Sequence, residues 1–182
     1  MSTPSLALQH LRPLFDTRTL PHLDDQRRPE SLPLAQIQAT LSPTLAAAKL
    51  DAGKAELVRA LVLIWHDHLD ESHTLSQEIH GGDASFLHGI MHRREPDYSN
   101  AKYWFHRVGQ HGAFPEIARR TADLLRSAPA LSQTLLDEGC WDAFAMIDAT
   151  AAATRQKDSD TYRLLQQVQR VEMEVLLERF CD

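Results

Sequence analysis

The 182-residue chain has only two cysteines, Cys140 and Cys181, with no CxxC pair and no ladder of spacings. That excludes a disulfide framework and suits reduced thiols in a cytosolic protein. Long apolar runs are missing too. The longest unbroken one covers residues 60–65, whereas a helix that crosses a bilayer needs roughly 20 apolar residues. The opening MSTPSLALQHLRPLF has no basic start followed by an apolar core, so no secretory signal is expected. Basic charge is scarce: 19 Lys and Arg against 25 Asp and Glu give a formal net charge of −6 and a pI near 5.9. Without a Lys/Arg stripe a general nucleic-acid binder is excluded, because affinity for a phosphate backbone needs a basic surface. Sustained strand alternation, internal repeats and a G-x-S-x-G elbow are also absent. The last absence weighs against a serine hydrolase of that kind. The expectation is a cytoplasmic protein with no membrane segment and no nucleic-acid partner.

What is present points to one all-α domain over residues 1–182. Hydrophobic residues at 43% and charged residues at 24% are ordinary globular values, and the length suffices to bury a core without disulfides or a structural metal. Residues 1–35 hold Pro4, Pro13, Pro21, Pro29 and Pro33. Proline removes a backbone donor and restricts its neighbour, so this stretch reads as a proline-rich arm of short helices and linker. Helical periodicity starts near Leu34. Residues 54–79, rich in Ala, Leu and Glu, read as one long helix stopped at Gly81-Gly82. A helix capped at Asp83 or Ser85 and ended by Glu95 before Pro96 follows. Next come a short aromatic helix over 101–108 with Asn100 as its cap, and helices near 115–127, 141–155 and 160–180. The expectation is a bundle of six to seven helices, with residues 54–111 as its functional core.

Eight of the ten histidines (66, 68, 73, 80, 88, 92, 106 and 111) fall within that core. On a helix each residue advances about 100°, so positions i, i+4 and i+7 share a face. His88, His92 and Glu95 have this spacing, and so do His66, Asp70 and His73. Two imidazoles and a carboxylate on one face can converge on a divalent ion. Two antiparallel helices joined at Gly81-Gly82 would present both sets to each other, as helical bundles do when they build metal centres. A small-molecule enzyme with bound iron, manganese or zinc is therefore one reading of these six residues. Ordinary wet helix faces are the other. A third group, His68, Glu71 and Ser72, lies nearer the apolar side and reads as internal hydrogen bonding.

Downstream, Arg93, Arg94, Tyr98 and Lys102 could recognise a small-molecule anion, the arginines by bidentate pairing, with Tyr103 and Trp104 as pocket walls. The competing reading pairs Arg93 or Arg94 with Glu95 or Asp97 to lock the turn. A non-catalytic ligand sensor and a helical interaction module, including self-association, stay open beside the enzyme.

The runs Trp65-His66-Asp67-His68-Leu69-Asp70-Glu71-Ser72-His73 and His92-Arg93-Arg94-Glu95-Pro96-Asp97-Tyr98-Ser99-Asn100-Ala101-Lys102-Tyr103-Trp104-Phe105 resemble those of a family of bacterial all-helical proteins to which no activity is assigned. The resemblance implies a helical fold and no mechanism. His66-Asp67 after the apolar run is also similar to the HD-domain phosphohydrolases, all-helical metalloenzymes. Those enzymes need a further upstream His and a downstream Asp. Here only His10 and His22 lie upstream, and no downstream Asp stands out.

Overall fold

The computed structural model describes residues 5–182; Pro4 of the expected arm lies outside them. Ten α-helices run in the order α1 (Leu6–Leu11), α2 (Leu34–Ala48), α3 (Ala52–Trp65), α4 (Leu69–Ser76), α5 (Gly82–Arg94), α6 (Tyr98–Val108), α7 (Phe114–Leu124), α8 (Pro129–Leu135), α9 (Ala143–Ala153) and α10 (Asp160–Cys181). The all-α expectation is met. The count exceeds six to seven because α1 and α8 are helices in their own right and the long helix expected over 54–79 is two. Between α8 and α9 a small antiparallel hairpin pairs Leu136 with Trp141 and Asp137 with Cys140. Its two-residue loop, Glu138-Gly139, holds both residues at positive φ (49° and 84°), the geometry such tight hairpins require. Among the described residues no helix is long and apolar enough to cross a membrane.

The buried apolar side chains form one continuous cluster. At its centre is α3, capped by the Asp51 side chain on the Lys54 amide and buried without interruption from Ala60 to Trp65. Around it pack α4, α5 and α10. Residues 5–33 are not draped over this core but built into it. Leu11 and Leu23 are fully buried, and the Phe15 ring lies 5.1 Å from that of Trp65.

Helix α3 stops at Trp65 because the next residues leave helical space, with Asp67 at φ 62°. An L-residue there is strained unless its side chain is held, and Asp67 is held from several sides, as described below. The chain turns again at Gly81, whose φ of 114° suits glycine. The next helix, α5, ends at Arg94, two residues before Pro96. Its successor, α6, is capped by Asp97, which accepts from the Asn100 amide at 3.1 Å, not by Asn100 itself. α5 and α6 approach closely at Gly89: a methyl group there would lie 2.5 Å from Phe105 Cε2.

Candidate functional site

Two polar clusters are built around α5. The first centres on Asp67. Its Oδ1 accepts from Arg94 Nη2 at 2.6 Å; its Oδ2 accepts from Arg28 Nε at 2.8 Å, from the Arg28 amide at 3.0 Å and from the Ser31 hydroxyl. Arg94 also donates to the carbonyls of Ile64 (2.5 Å) and Asp24 (3.2 Å), and Arg28 donates to that of Trp65. Burial pushes the Asp67 carboxyl up, but Arg94, Ser31 and Arg28 together hold it down at about 2. This knot ties residues 24–31, the break after α3 and the end of α5 into one unit.

The break redirects the residues that one continuous helix would have aligned. His66 is 1% exposed; its Nε2 meets the Leu14 carbonyl at 2.9 Å and its Nδ1 accepts from the Leu32 amide at 3.3 Å. Burial holds it down at about 4, against the pull of the Leu14 carbonyl. His66 therefore does not share a face with Asp70 and His73. Both halves of the His-Asp dipeptide are held by internal partners, and two guanidinium groups take the Asp67 carboxylate that a metal would need. Of the third group, His68 and Ser72 are internal, as read from the sequence: His68 Nε2 meets the Leu32 carbonyl and Ser72 donates to that of Ala60; Glu71 is not, its side chain standing exposed.

Nor does the structure gather Arg93, Arg94, Tyr98 and Lys102 into one anion pocket. Both arginines are fully buried, and their partners lie far away in sequence instead of at Glu95 or Asp97. Arg93 binds Glu172 of α10 through both terminal nitrogens (3.1 and 2.5 Å) and reaches Gln169 at 3.4 Å. Burial pushes the Glu172 carboxyl up, and Arg93 opposes it. Tyr98 meets the Thr154 hydroxyl at 3.2 Å, and Lys102 pairs at the surface with Asp148 at 2.7 Å.

The second cluster is made of imidazoles. His73 of α4 meets His88 and His92 of α5, with ring centroids 5.6 and 5.0 Å away, and His88 lies 6.2 Å from His92. His88 is 1% exposed. Its Nδ1 faces the Ala84 carbonyl at 3.3 Å, while its buried Nε2 has no hydrogen-bond partner among the described residues. Trp104 of α6 stacks on its ring at 4.0 Å and 15°. His92 Nδ1 lies 3.0 Å from Glu95 Oε2, and the Asn100 amide approaches the same ring at 3.2 Å from Nε2. Gln77 reaches His73 Nε2 at 3.0 Å. Asp70 is exposed on α4; burial raises the pKa of Glu95, His73 opposes the rise and the charge of Asp70 adds to it. Burial lowers His88 to about 4 and lowers His92 as well, with His73 adding to both shifts. Buried imidazoles held neutral keep a nitrogen lone pair free to accept a proton or bind a metal. As the side chains stand, no three His, Cys, Asp or Glu among the described residues are disposed to hold an ion.

Gln77 and Asn100 were not anticipated as neighbours of the histidines; Trp104, expected with Tyr103 to wall the anion pocket, stacks on His88 instead, and Tyr103 is exposed. Glu172 had a legible signal: a carboxylate set between Val168 and Val175 on the apolar stripe of α10. No protein-family model, no curated protein and no solved structure matches the chain. The site is therefore read from its geometry alone.

Proposed function

We propose that the imidazole cluster between α4 and α5 is a divalent-metal centre for iron, manganese or zinc, and that the protein is a metal-dependent enzyme acting on a small molecule. His73, His88 and His92 are the ligands, and Glu95 orients His92 through Nδ1. Of the six residues read from sequence, His66 leaves the set and Asp70 stands at its rim.

The observation that carries this reading is His88. Its Nδ1 is fixed on a backbone carbonyl, which leaves Nε2 as the buried acceptor, and that nitrogen has no partner among the described residues. This is the usual preparation of a metal-binding imidazole, whose far nitrogen is oriented by a carbonyl or carboxylate. Imidazoles sharing one tetrahedral ion have centroids on the order of 5 Å apart, close to the 5.0–6.2 Å found here. Loading requires the His73 and His92 rings to turn away from Gln77 and Asn100. A bound metal of this kind lowers the pKa of its water and polarises a carbonyl or phosphoryl oxygen. Beside it, Glu95 is the group able to hold or move a proton. The two thiols, Cys140 and Cys181, are free, which supports a cytoplasmic location.

A second reading has one specific observation in its favour. The contacts of His73 to Gln77 and of His92 to Asn100 and Glu95 are those of structural histidines in a non-catalytic binding or interaction module. Elemental analysis of protein purified without a His-tag or chelator separates the two. The metal reading expects near-stoichiometric iron, manganese or zinc that disappears in His88→Ala/His92→Ala. Metal-free protein that also gives no calorimetric heat with added Zn²⁺, Mn²⁺ or Fe²⁺ sinks it.

A further inference from the structure

Away from the imidazoles, the end of α6, the start of α7 and the hairpin enclose a cleft of about 690 Å³. Four aromatic side chains line it, Phe105, Phe114, Trp141 and Phe144, together with the carboxylates of Asp137 and Asp142. No Lys or Arg is among the lining residues. The guanidinium that approaches it, that of Arg179, comes within 3.1 Å of where a methyl group on Gly112 would sit, but its Nε is bound to Asp83 at 2.7 Å. His111, also in the lining, has both ring nitrogens engaged: Nε2 with Asp83 at 3.0 Å, and Nδ1 accepting from the Ala113 amide at 3.3 Å.

These groups define a ligand chemistry. Aromatic faces carry negative potential and attract a desolvated cation, most strongly a quaternary ammonium, and the two carboxylates add to that field. The overall charge of −6 draws cations and repels anions at a distance. Asp142 Oδ1 also caps α9, accepting from the Phe144 and Ala145 amides at 2.8 and 2.9 Å, while Asp137 is exposed. Trp141 is 6% exposed, and its indole Nε1–H is buried with no hydrogen-bond partner among the described residues, so what it offers the cleft is its ring. We propose that this cleft binds a small organic cation, an alkylated ammonium. The site is independent of the metal centre.

The test uses the full chain and two probes of nearly equal shape, choline and its uncharged isostere 3,3-dimethylbutan-1-ol, with calorimetry for affinity and the Trp141 indole N–H resonance for location. Choline is expected to bind at least tenfold more tightly than the alcohol and to move that resonance. Phe144→Leu, at a partly buried position, and Asp137→Asn, at an exposed one, are expected to weaken choline at least fivefold, the second with the melting temperature unchanged. His88→Ala/His92→Ala is expected to leave choline binding intact. Equal affinity for the two probes, no binding of choline, or binding that leaves the Trp141 resonance in place would overturn the proposal.

Discussion

Helix α5 serves two buried polar clusters that solve the same problem in opposite ways. Around Asp67, burial of charge is answered by charge: both carboxylate oxygens are bound, by Arg94 on one side and by Arg28 and Ser31 on the other. Around His88, burial is answered by neutrality, and one nitrogen goes without a partner among the described residues. Arg94 Nε in the first cluster lacks one too, but it is a donor on a charge already paired, whereas a neutral imidazole offers a lone pair to a ligand. The arginines looked most like ligand groups in the sequence and belong to the first kind. The histidines belong to the second.

The largest effect expected from this contrast is that of Asp67→Ala. Removing the carboxylate leaves two buried guanidinium groups uncompensated, and breaking such a pair costs about 3–5 kcal/mol. Urea unfolding should show that loss, and a loss under about 1 kcal/mol would mean that the knot does not hold the arm. Gly89→Ala comes next. The new methyl meets Phe105 at 2.5 Å, and overpacking of that kind costs about 1–3 kcal/mol. A lower melting temperature, with loss of the Trp104 signal expected from stacking on His88, would show that α6 had been pushed away.

The buried histidines and the buried aspartate also separate along the pH axis. His66 and His88 sit at about 4 in the folded protein against an ordinary 6.5. Between those values the unfolded chain binds more protons, so their contribution is complete above pH 6.5 and is lost as pH falls towards 4. Asp67 sits at about 2 against 3.8, so its contribution persists until pH drops below 3.8 and is lost through 2. Unfolding measured across pH should therefore weaken in two stages, and a single stage near pH 4 would contradict the assignment. The smallest stability effect is reserved for His88→Phe. Replacing an under-partnered imidazole by an apolar ring should change stability by less than about 1 kcal/mol, flatten part of the upper stage and abolish metal uptake. A loss as large as that of Asp67→Ala would make His88 a structural residue.

The helical class was legible because periodicity and punctuation are local. Gly81, Pro96, Gly109 and the stripe of α10 all mark boundaries close to those observed. The break at His66–His68 was not legible. Residues 54–79 carry no Pro or Gly, and what bends them is an ion knot whose partners lie at positions 28, 31 and 94. That one hidden bend took His66 out of the expected set and left His73 as its imidazole facing α5. The pairing of His88 with His92 needed only helical spacing and was readable. The partners of Arg93 and Arg94 were not, because a sequence gives no sign of which distant carboxylate will answer a buried guanidinium.

The knot also dictates an order of events. Arg28 is synthesised first and meets its counter-charge at Asp67, 39 residues later; Arg94, 27 residues further on, joins a carboxylate already made, but the neighbouring Arg93 must wait for Glu172. On a ribosome adding residues one at a time, the nascent chain therefore carries one guanidinium, that of Arg93, unanswered until α10 is made. It cannot be buried until its counter-charge emerges. The core around α3 therefore cannot close from the front as the chain appears, and native structure arrives late, when α10 supplies the last carboxylate.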